Sequence, residues 1–427
     1  MNPSQRRLAV ARVPAMPGRA FPAAPPGSSG AAEHAHGPSL TAQQGGGELQ
    51  SFVNWLACAA LPLWAGHARN GLLPFAECLE NTGERSDPGF LRLRVIARQV
   101  AVYSQAAQAG LAGAREMAEA GWTAMRQFYW SQEHGWANRV TSQGKPCDPA
   151  FWLYDQAFAV YACAARIRLA GDAAAAACAH RTIELIDRRL RRSDPDVASA
   201  SRHGWISMAG ASGRDQNGHM HYLEALLALH EAAPGPQTSG RIAELLAIAH
   251  ERLFDFQAGV ITEWFDDAWR PLAGRWHVEP GHQFEWAWLI ARARALGFDC
   301  KVPGETLIAF ARNHGRDRKT GLIVDLCAPN GRMLASSYRL WPQCEALRAL
   351  TVRSDPAAAY AEAGKLAGLI GRYFLAPTFP GGWVDRLDAQ LVPVAGPVPA
   401  SSLYHLWEAA AALVRRGWAA WRTVAPC

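Results

Sequence analysis

From residue 51 onward, apolar side chains recur at three- and four-residue spacings, the signature of helices that bury one face. Segment 91–109 (LRLRVIARQVAVYSQAAQA) carries the pattern, as do 154–170, 173–190 and 219–232. Followed to the C-terminus, it predicts twelve helices, near 52–64, 91–109, 114–130, 154–170, 173–190, 219–232, 240–254, 282–296, 304–314, 343–352, 357–375 and 401–421. Between the members of each odd–even pair lies a segment that opens on glycine, continues with bulky residues and ends in a polar turn. These segments are GLLPFAECLENTG from Gly71, GWANRVTSQGKP from Gly135, GWISMAGASGRD from Gly204, GVITEWFDDAWRP from Gly259, GLIVDLCAPNGR from Gly321 and GWVDRLDAQ from Gly382. Their starts lie 64, 69, 55, 62 and 61 residues apart, a period that marks repeated units burying their faces by stacking. The bulky alternation and the NG or DA turns predict a small β-hairpin before each even helix.

Six helix pairs can close on themselves. The expected fold is all-α: a six-hairpin toroid, or (α/α)6 barrel, with short β-hairpins at one end. An open solenoid is the alternative. Residues 51–427 are expected to form this single domain. The first fifty residues carry seven Pro and seven Gly, so 1–50 is expected to be a disordered tail. Arg6 and Arg7 hint at an export signal, but Arg12, Pro14, Pro17 and Arg19 break the apolar run it needs.

Composition narrows the function classes. Hydrophobic residues are 49% and charged residues 19%, enough for a sizeable core. The net charge of +6 is scattered along the helices without a dense basic block, which argues against a nucleic-acid partner. No window reaches the roughly 18 uninterrupted apolar residues of a membrane helix, so no membrane partner is expected. The nine cysteines lack any C-x-x-C spacing and several sit in apolar helical runs, as reduced thiols of a cytoplasmic protein would.

The topology also places the chemistry. All six hairpins join an odd helix to an even one, so they gather at one end together with the even-helix N-termini. Polar residues there should share a cavity. Tyr154 and Asp155 open the fourth helix, Asn217, His219 and His221 the sixth, and His282 and Glu285 the eighth. Trp341 and Gln343 precede the tenth, His405 lies on the twelfth, and Arg98 sits about two turns into the second. Each has an ordinary reading: a histidine near a helix start is often a cap, and His405 in an apolar helix a hydrogen-bonded core residue. His282 and Glu285 are stronger candidates, because i and i+3 share a face and the carboxylate can orient the imidazole. His221 and Glu224 repeat the spacing. His219 and His221 point about 200° apart on a helix, which argues against a shared metal. Among 17 tryptophans, Trp264, Trp286, Trp341 and Trp383 are core residues or the flat wall of a sugar-sized cleft.

The stretches RVIARQV, LYDQAFAV, NGHMHYLEALLAL, EPGHQFEWAW, RLWPQCEAL, GGWVDRLD and SSLYHL resemble the N-acylglucosamine 2-epimerase superfamily, which includes metal-free mannose isomerases and cellobiose 2-epimerases. The resemblance runs from about 51 to 421 and implies the (α/α)6 barrel independently. It implies that His282 and His405 are the acid/base pair and that Arg98 binds substrate. Tyr154, Asn217, His221 and Glu285 then bind or orient the sugar, with Trp341 and Gln343 completing the candidate set. LYHLWEA around His405 is closer to the mannose isomerase branch than to N-acyl epimerases, which carry an FHVPR-like segment.

The chemistry fits this without the family. Moving a carbonyl between C1 and C2 removes a weakly acidic proton, a task for an imidazole with an ordinary pKa of about 6.5. Arg98 can stabilise the enediolate oxygen in place of a metal. The expectation is a metal-free, cofactor-free isomerase of mannose or a mannose-like, even phosphorylated, hexose, working as a monomer or homodimer. A 2-epimerase is the first alternative. A glycoside hydrolase using two of Asp155, Glu285, Asp385 and Asp388 is the second.

Overall fold

A computed structural model describes residues 42–67, 72–192, 204–375 and 379–421. All of them fall within one compact unit, Leu40–Cys427. The helices form six pairs. α1 (Ala42–Trp55) runs through a π-helical turn at Leu56–Ala60 into α2 (Leu61–Gly66), and this long element precedes α3 (Leu93–Gln108). The other pairs are α4 (Ala114–Tyr129) with α5 (Leu153–Ala170), α6 (Ala173–Leu190) with α7 (Gln216–Ala232), and α8 (Pro236–Ile248) with α9 (Pro280–Ala295). They continue with α10 (Gly304–His314) and α11 (Leu340–Leu350), then α12 (Pro356–Tyr373) and α13 (Ser402–Arg415).

The second helices of the pairs, α3, α5, α7, α9, α11 and α13, pack side by side as an inner ring. They are buried around most of their circumference, as for Pro280–Ile290 of α9, because each has neighbours on every side. The first helices form the outer ring and show one wet face. Asp172, Asp215 and Asp355 cap three helices by accepting from the backbone N–H of Ala175, Gly218 and Ala358.

Short antiparallel pairings decide between barrel and solenoid. Phe90–Arg92 pairs with Arg139–Thr141, Arg214–Asp215 with Trp264–Phe265, and Tyr338–Arg339 with Arg386–Leu387. Single bridges, Trp152 to Met208 and Val278 to Cys327, fill the same place in two other repeats. The sixth contact pairs Cys78–Leu79 with Val398–Pro399, the first repeat with the last. The ring is closed. The fold is an (α/α)6 barrel, as the repeat implied.

Element boundaries shift where caps intervene. α7 starts at Gln216 because Asp215 caps it, and α11 starts at Leu340, since Pro342 in a first turn removes an N–H that has no helical partner. α13 ends at Arg415, just before Gly417 turns left-handed (φ 75°). The tail boundary needs a larger correction. Residues 1–41 lie outside the described residues, but 42–50 belong to α1, and Leu49 is fully buried. The Gly45–Gly47 run argued against a helix on propensity. Packing overrides it: a Cβ on Gly364 of α12 would stand 2.5 Å from Gly45 Cα, so these glycines permit backbone contact. Removing residues 1–50, and not merely 1–39, should therefore cost about 2–5 kcal/mol for the lost Leu49 contacts and bared α12 face. Comparing the two truncations by thermal melting checks this; identical midpoints would put the boundary back at residue 50.

Candidate active site

A polar side chain on the first turns of five of the six inner helices ties down the glycine-led segment of its own repeat. Gln283 accepts from Ile261 N–H (2.9 Å) and donates to its carbonyl (2.8 Å). Gln343 does the same to Ile323 (2.8 and 2.7 Å). Gln99 and Gln156 donate to the carbonyls of Ala76 and Trp136. In the third repeat His219 takes this place: Nδ1–H donates to Asp215 O and Nε2 accepts from Trp205 N–H. Burial pushes His219 down to about 4, keeping it neutral. Gln343 is therefore not a sugar ligand. It lies outside the cavity and is saturated by backbone.

Beyond these ties, the inner-helix N-termini converge on one cavity. Arg98, Tyr154, Asn217, His221, His282, Glu285, Trp341 and His405 all line it, eight residues from six helices. Glu279, Arg339, Asp385, Ser401 and Ser402 complete the wall. Of the other tryptophans considered, Trp286 is fully buried with its N–H donated to Gln216, Trp383 stacks on Trp64 at 5.0 Å, and Trp264 lies beneath Arg275. Trp341 alone of the four faces the cavity, its ring 4.8 Å from His282 and 5.6 Å from His405. Gly281 makes room for it: a Cβ there would meet the indole at 2.5 Å.

The partner of His282 differs from expectation. Its Nδ1 lies 2.9 Å from Glu263 Oε2, a residue of the fourth hairpin, and not against Glu285. Gln216, its amide orientation fixed by Trp286, donates to the same Glu263 oxygen (2.7 Å) and so holds the carboxylate in place. Nδ1–H donates to the carboxylate, leaving Nε2 as the nitrogen for chemistry. Burial disfavours a charged imidazole, but Glu263 and then Glu279 outweigh it, and the pKa of His282 lies above its ordinary value. A repeat signal for Glu263 was present: it stands in GVITE where GLIVD and GWVD carry Asp325 and Asp385.

His405 is biased the other way. Its Nδ1 is 2.6 Å from Glu345 Oε1. Burial and then the positive charge of Arg98 hold its pKa well below the ordinary value. Arg98 is wedged among aromatic rings, with Cζ 4.1 Å from the Phe158 centroid and 4.9 Å from that of Tyr404, and donates to Tyr154 Oη at 2.7 Å. No carboxylate among the described residues forms an ion pair with it, so its charge is available to a ligand.

His221 Nδ1 meets Glu224 at 3.0 Å, as the i, i+3 spacing implied, and burial lowers its pKa to about 4. Glu285 lies 3.7 Å from His221. It is fully buried and both its oxygens lack a hydrogen-bond partner. Burial, then the charges of Glu345 and Glu224, push its pKa well up, so it presents a neutral carboxyl to a ligand. Sequence reasoning missed Glu263 and Glu345, the two groups that set the catalytic candidates' tautomers.

Of the four hydrolase candidates only Glu285 and Asp385 share the cavity, and the other two are engaged elsewhere. Asp155 is paired with Arg94 (3.2 Å), and Asp388 accepts from Gln390 and Val392 N–H within its own turn. Asp385 is bonded to Ser402 (2.6 Å).

The sequence profile described as N-acylglucosamine 2-epimerase (GlcNAc 2-epimerase) matches residues 75–409. The chain belongs to that family. It is similar to a mannose-6-phosphate isomerase of Rhizobium meliloti (strain 1021), 31% identical over 385 residues, covering 84% of this chain and 94% of the relative. Among solved structures, a D-mannose isomerase superposes with a TM-score of 0.75 at 19% identity, covering 86% of this chain and 97% of its own. A cellobiose 2-epimerase from Bacillus thermoamylovorans B4167 gives 0.76 at 18% identity, covering 86% and 99%. These superpositions carry the shared toroid. As a member of the family, the protein is a sugar isomerase or epimerase. No described helix is long and apolar enough to cross a membrane.

Proposed function

We propose that the protein interconverts an aldose and its ketose by metal-free proton transfer between C1 and C2, with mannose or a mannose-like hexose as substrate. The observation that carries this is the histidine pair packed against Trp341, each Nδ1 tied to a carboxylate and the two pKa values pushed in opposite directions. Two titratable groups separated in this way divide into an acid and a base. Neutral His405 takes the C2 proton of the open-chain sugar and returns it to C1, while the hydroxyl proton passes from O2 to O1 so that C2 becomes the carbonyl. Protonated His282 donates to the ring oxygen as the C1–O5 bond breaks, and the imidazole so neutralised takes up the proton of the anomeric hydroxyl. Arg98 stabilises the enediolate oxygen, a role for a buried, unpaired cation. The neutral Glu285 carboxyl and Asn217, whose Oδ1 is buried without a partner, offer hydrogen bonds to hydroxyls. The mannose skeleton rests on the names of the relatives, one of which acts on the 6-phosphate.

The same histidine pair favours a second reading. Imidazoles on opposite faces of one sugar can also return the proton to C2 with inversion, as a 2-epimerase requires. Incubating the protein with mannose in deuterated water separates the two by NMR. Isomerisation places deuterium at C1 of fructose; epimerisation places it at C2 of glucose with no ketose. Deuterium in neither carbon for any aldose of a panel rejects both.

Metal independence is a separate prediction. Three groups come within metal-ligand reach of one another: His221–Glu224–Glu285, Glu263–Glu279–His282 and Glu285–Glu345–His405. Glu263 accepts from Gln216 and Glu279 N–H, Glu224 from Arg348 and Tyr404, and Glu345 from Arg348. Glu285, whose oxygens have no partner, is pushed toward its neutral form by burial and then by the neighbouring charges. A hard cation needs about six oxygen ligands. Turnover should survive EDTA dialysis unchanged, and loss restored by one divalent ion would refute it.

A further inference from the structure

Outside the cavity lining, one guanidinium touches carboxyl groups from four inner helices. Arg348 is 1% exposed and stands one turn beyond Glu345 on α11. Its Nη2 lies 2.8 Å from Glu224 of α7 and 3.3 Å from Glu408 of α13. Its Nη1 lies 3.3 Å from Glu345 and 4.0 Å from Glu285 of α9. The Cζ atom sits 3.7 Å from the Trp288 ring centroid, which fixes the plane of the fork. Among the described residues no other Arg or Lys comes within 4.0 Å of Glu224, Glu285 or Glu345. Two of these carboxylates hold imidazoles of the cavity: Glu224 binds His221, and Glu345 binds His405.

We propose that Arg348, which touches no substrate, is a positioning residue that keeps Glu345 ionised and thereby fixes the tautomer of His405. The inference rests on the acid/base role proposed for His405. An ionised Glu345 accepts Nδ1–H of His405, so that Nε2 keeps the lone pair a base needs. A protonated Glu345 donates to Nδ1 instead, the ring proton moves to Nε2, and the base is lost. A triad aspartate sets its histidine tautomer in the same way. Burial drives Glu345 toward the protonated form and the charge of Arg348 opposes it. Burial and then the charge of Glu224 hold the Glu345 pKa above its ordinary value even beside Arg348, and without that cation they favour the protonated form. Glu224 and His221 face the group from α7, Glu285 from α9, and Tyr404, His405 and Glu408 from α13. Arg98 of α3 is the other cation near the His405 ring, and Tyr161 of α5 bonds Glu408.

The test compares wild type with Arg348→Met and Arg348→Lys, each checked for folding by circular dichroism. In kcat/KM against pH, activity falls as Glu345 gains its proton, so losing the cation moves the acid limb upward, by about one pH unit for Met. A smaller change is expected for Lys, which keeps the charge without the fork. The loss should grow as pH falls while KM changes little. A loss equal at every pH in folded Arg348→Met marks a merely structural role and overturns the proposal. If Arg348→Met does not fold, Arg348→Lys decides, and superposed wild-type and Lys profiles overturn it. Imidazole 15N NMR reads the tautomer without turnover. The His405 proton should reside on Nδ1 in wild type and move toward Nε2 in the variants at the same pH. An unchanged tautomer refutes the role of Arg348 even if no sugar turns over, whereas a changed tautomer with no aldose accepted by wild type refutes only the sugar reading.

Discussion

His405→Asn and His282→Asn should each lower kcat by about 10²–10⁴-fold, the usual share of one general acid or base. The deletions remove different steps. Without His405 nothing takes the C2 proton, so solvent-deuterium incorporation falls in parallel with turnover. Without His282 the ring-opening acid is missing, so a substrate supplied in open-chain form regains part of the rate. Both variants fold, because each ring is held at its edge and the packing comes from neighbouring repeats. Glu285→Gln is milder than either, since an amide keeps the neutral hydrogen-bonding group that burial already imposes on the carboxyl. Wild-type isomerisation in both histidine variants would sink the assignment and leave the fold untouched.

The second large effect is a displaced pH profile in Glu263→Gln. On the proposed mechanism the active form has His282 protonated and His405 neutral, so kcat/KM against pH should be a bell. Its acid limb belongs to the His405–Glu345 pair and lies below 6.5, because burial and Arg98 hold His405 low. Its basic limb is the loss of the His282 proton and lies above 6.5, because Glu263 and Glu279 outweigh burial. Removing the Glu263 charge leaves burial dominant, so His282 loses its proton at lower pH. The basic limb should move down by about 1–3 on the pH scale, the span that one adjacent charge commands. Measured above the wild-type optimum, activity should fall about tenfold for every whole pH step the limb moves. The acid limb should move less than the basic one, since Glu263 reaches His405 only through the charge of His282, which ranks behind burial, Arg98, Glu224 and Arg348. A uniform loss across the whole profile would mean that Glu263 only supports packing.

The two halves of the protein's logic were legible to different depths. Helix number, the sixfold period and the convergence of the even helices came from spacing alone, because a buried helix face must repeat every three or four residues whatever surrounds it. The same spacing placed Arg98, Tyr154, Asn217, His221, His282, Glu285, Trp341 and His405 at one end, and all eight line one cavity. Local patterning could not show what lies across the ring. Whether the repeats close depends on Cys78–Leu79 meeting Val398–Pro399, a pairing of residues some 320 positions apart. Gln343 looked like its neighbour Trp341 in sequence, yet a helix turns its face by about 100° per residue, and two positions carried it from the cavity to the Ile323 backbone. The i, i+3 rule gave His221 its Glu224 but named the wrong carboxylate for His282, because Glu263 arrives from the hairpin 19 residues upstream. Glu345 reaches His405 across 60 residues. Residue types and their end of the barrel are properties of the chain. Which carboxylate faces which imidazole, and therefore which histidine is acid and which is base, follows from charges brought within about 3 Å by packing, where burial makes them strong enough to move a proton.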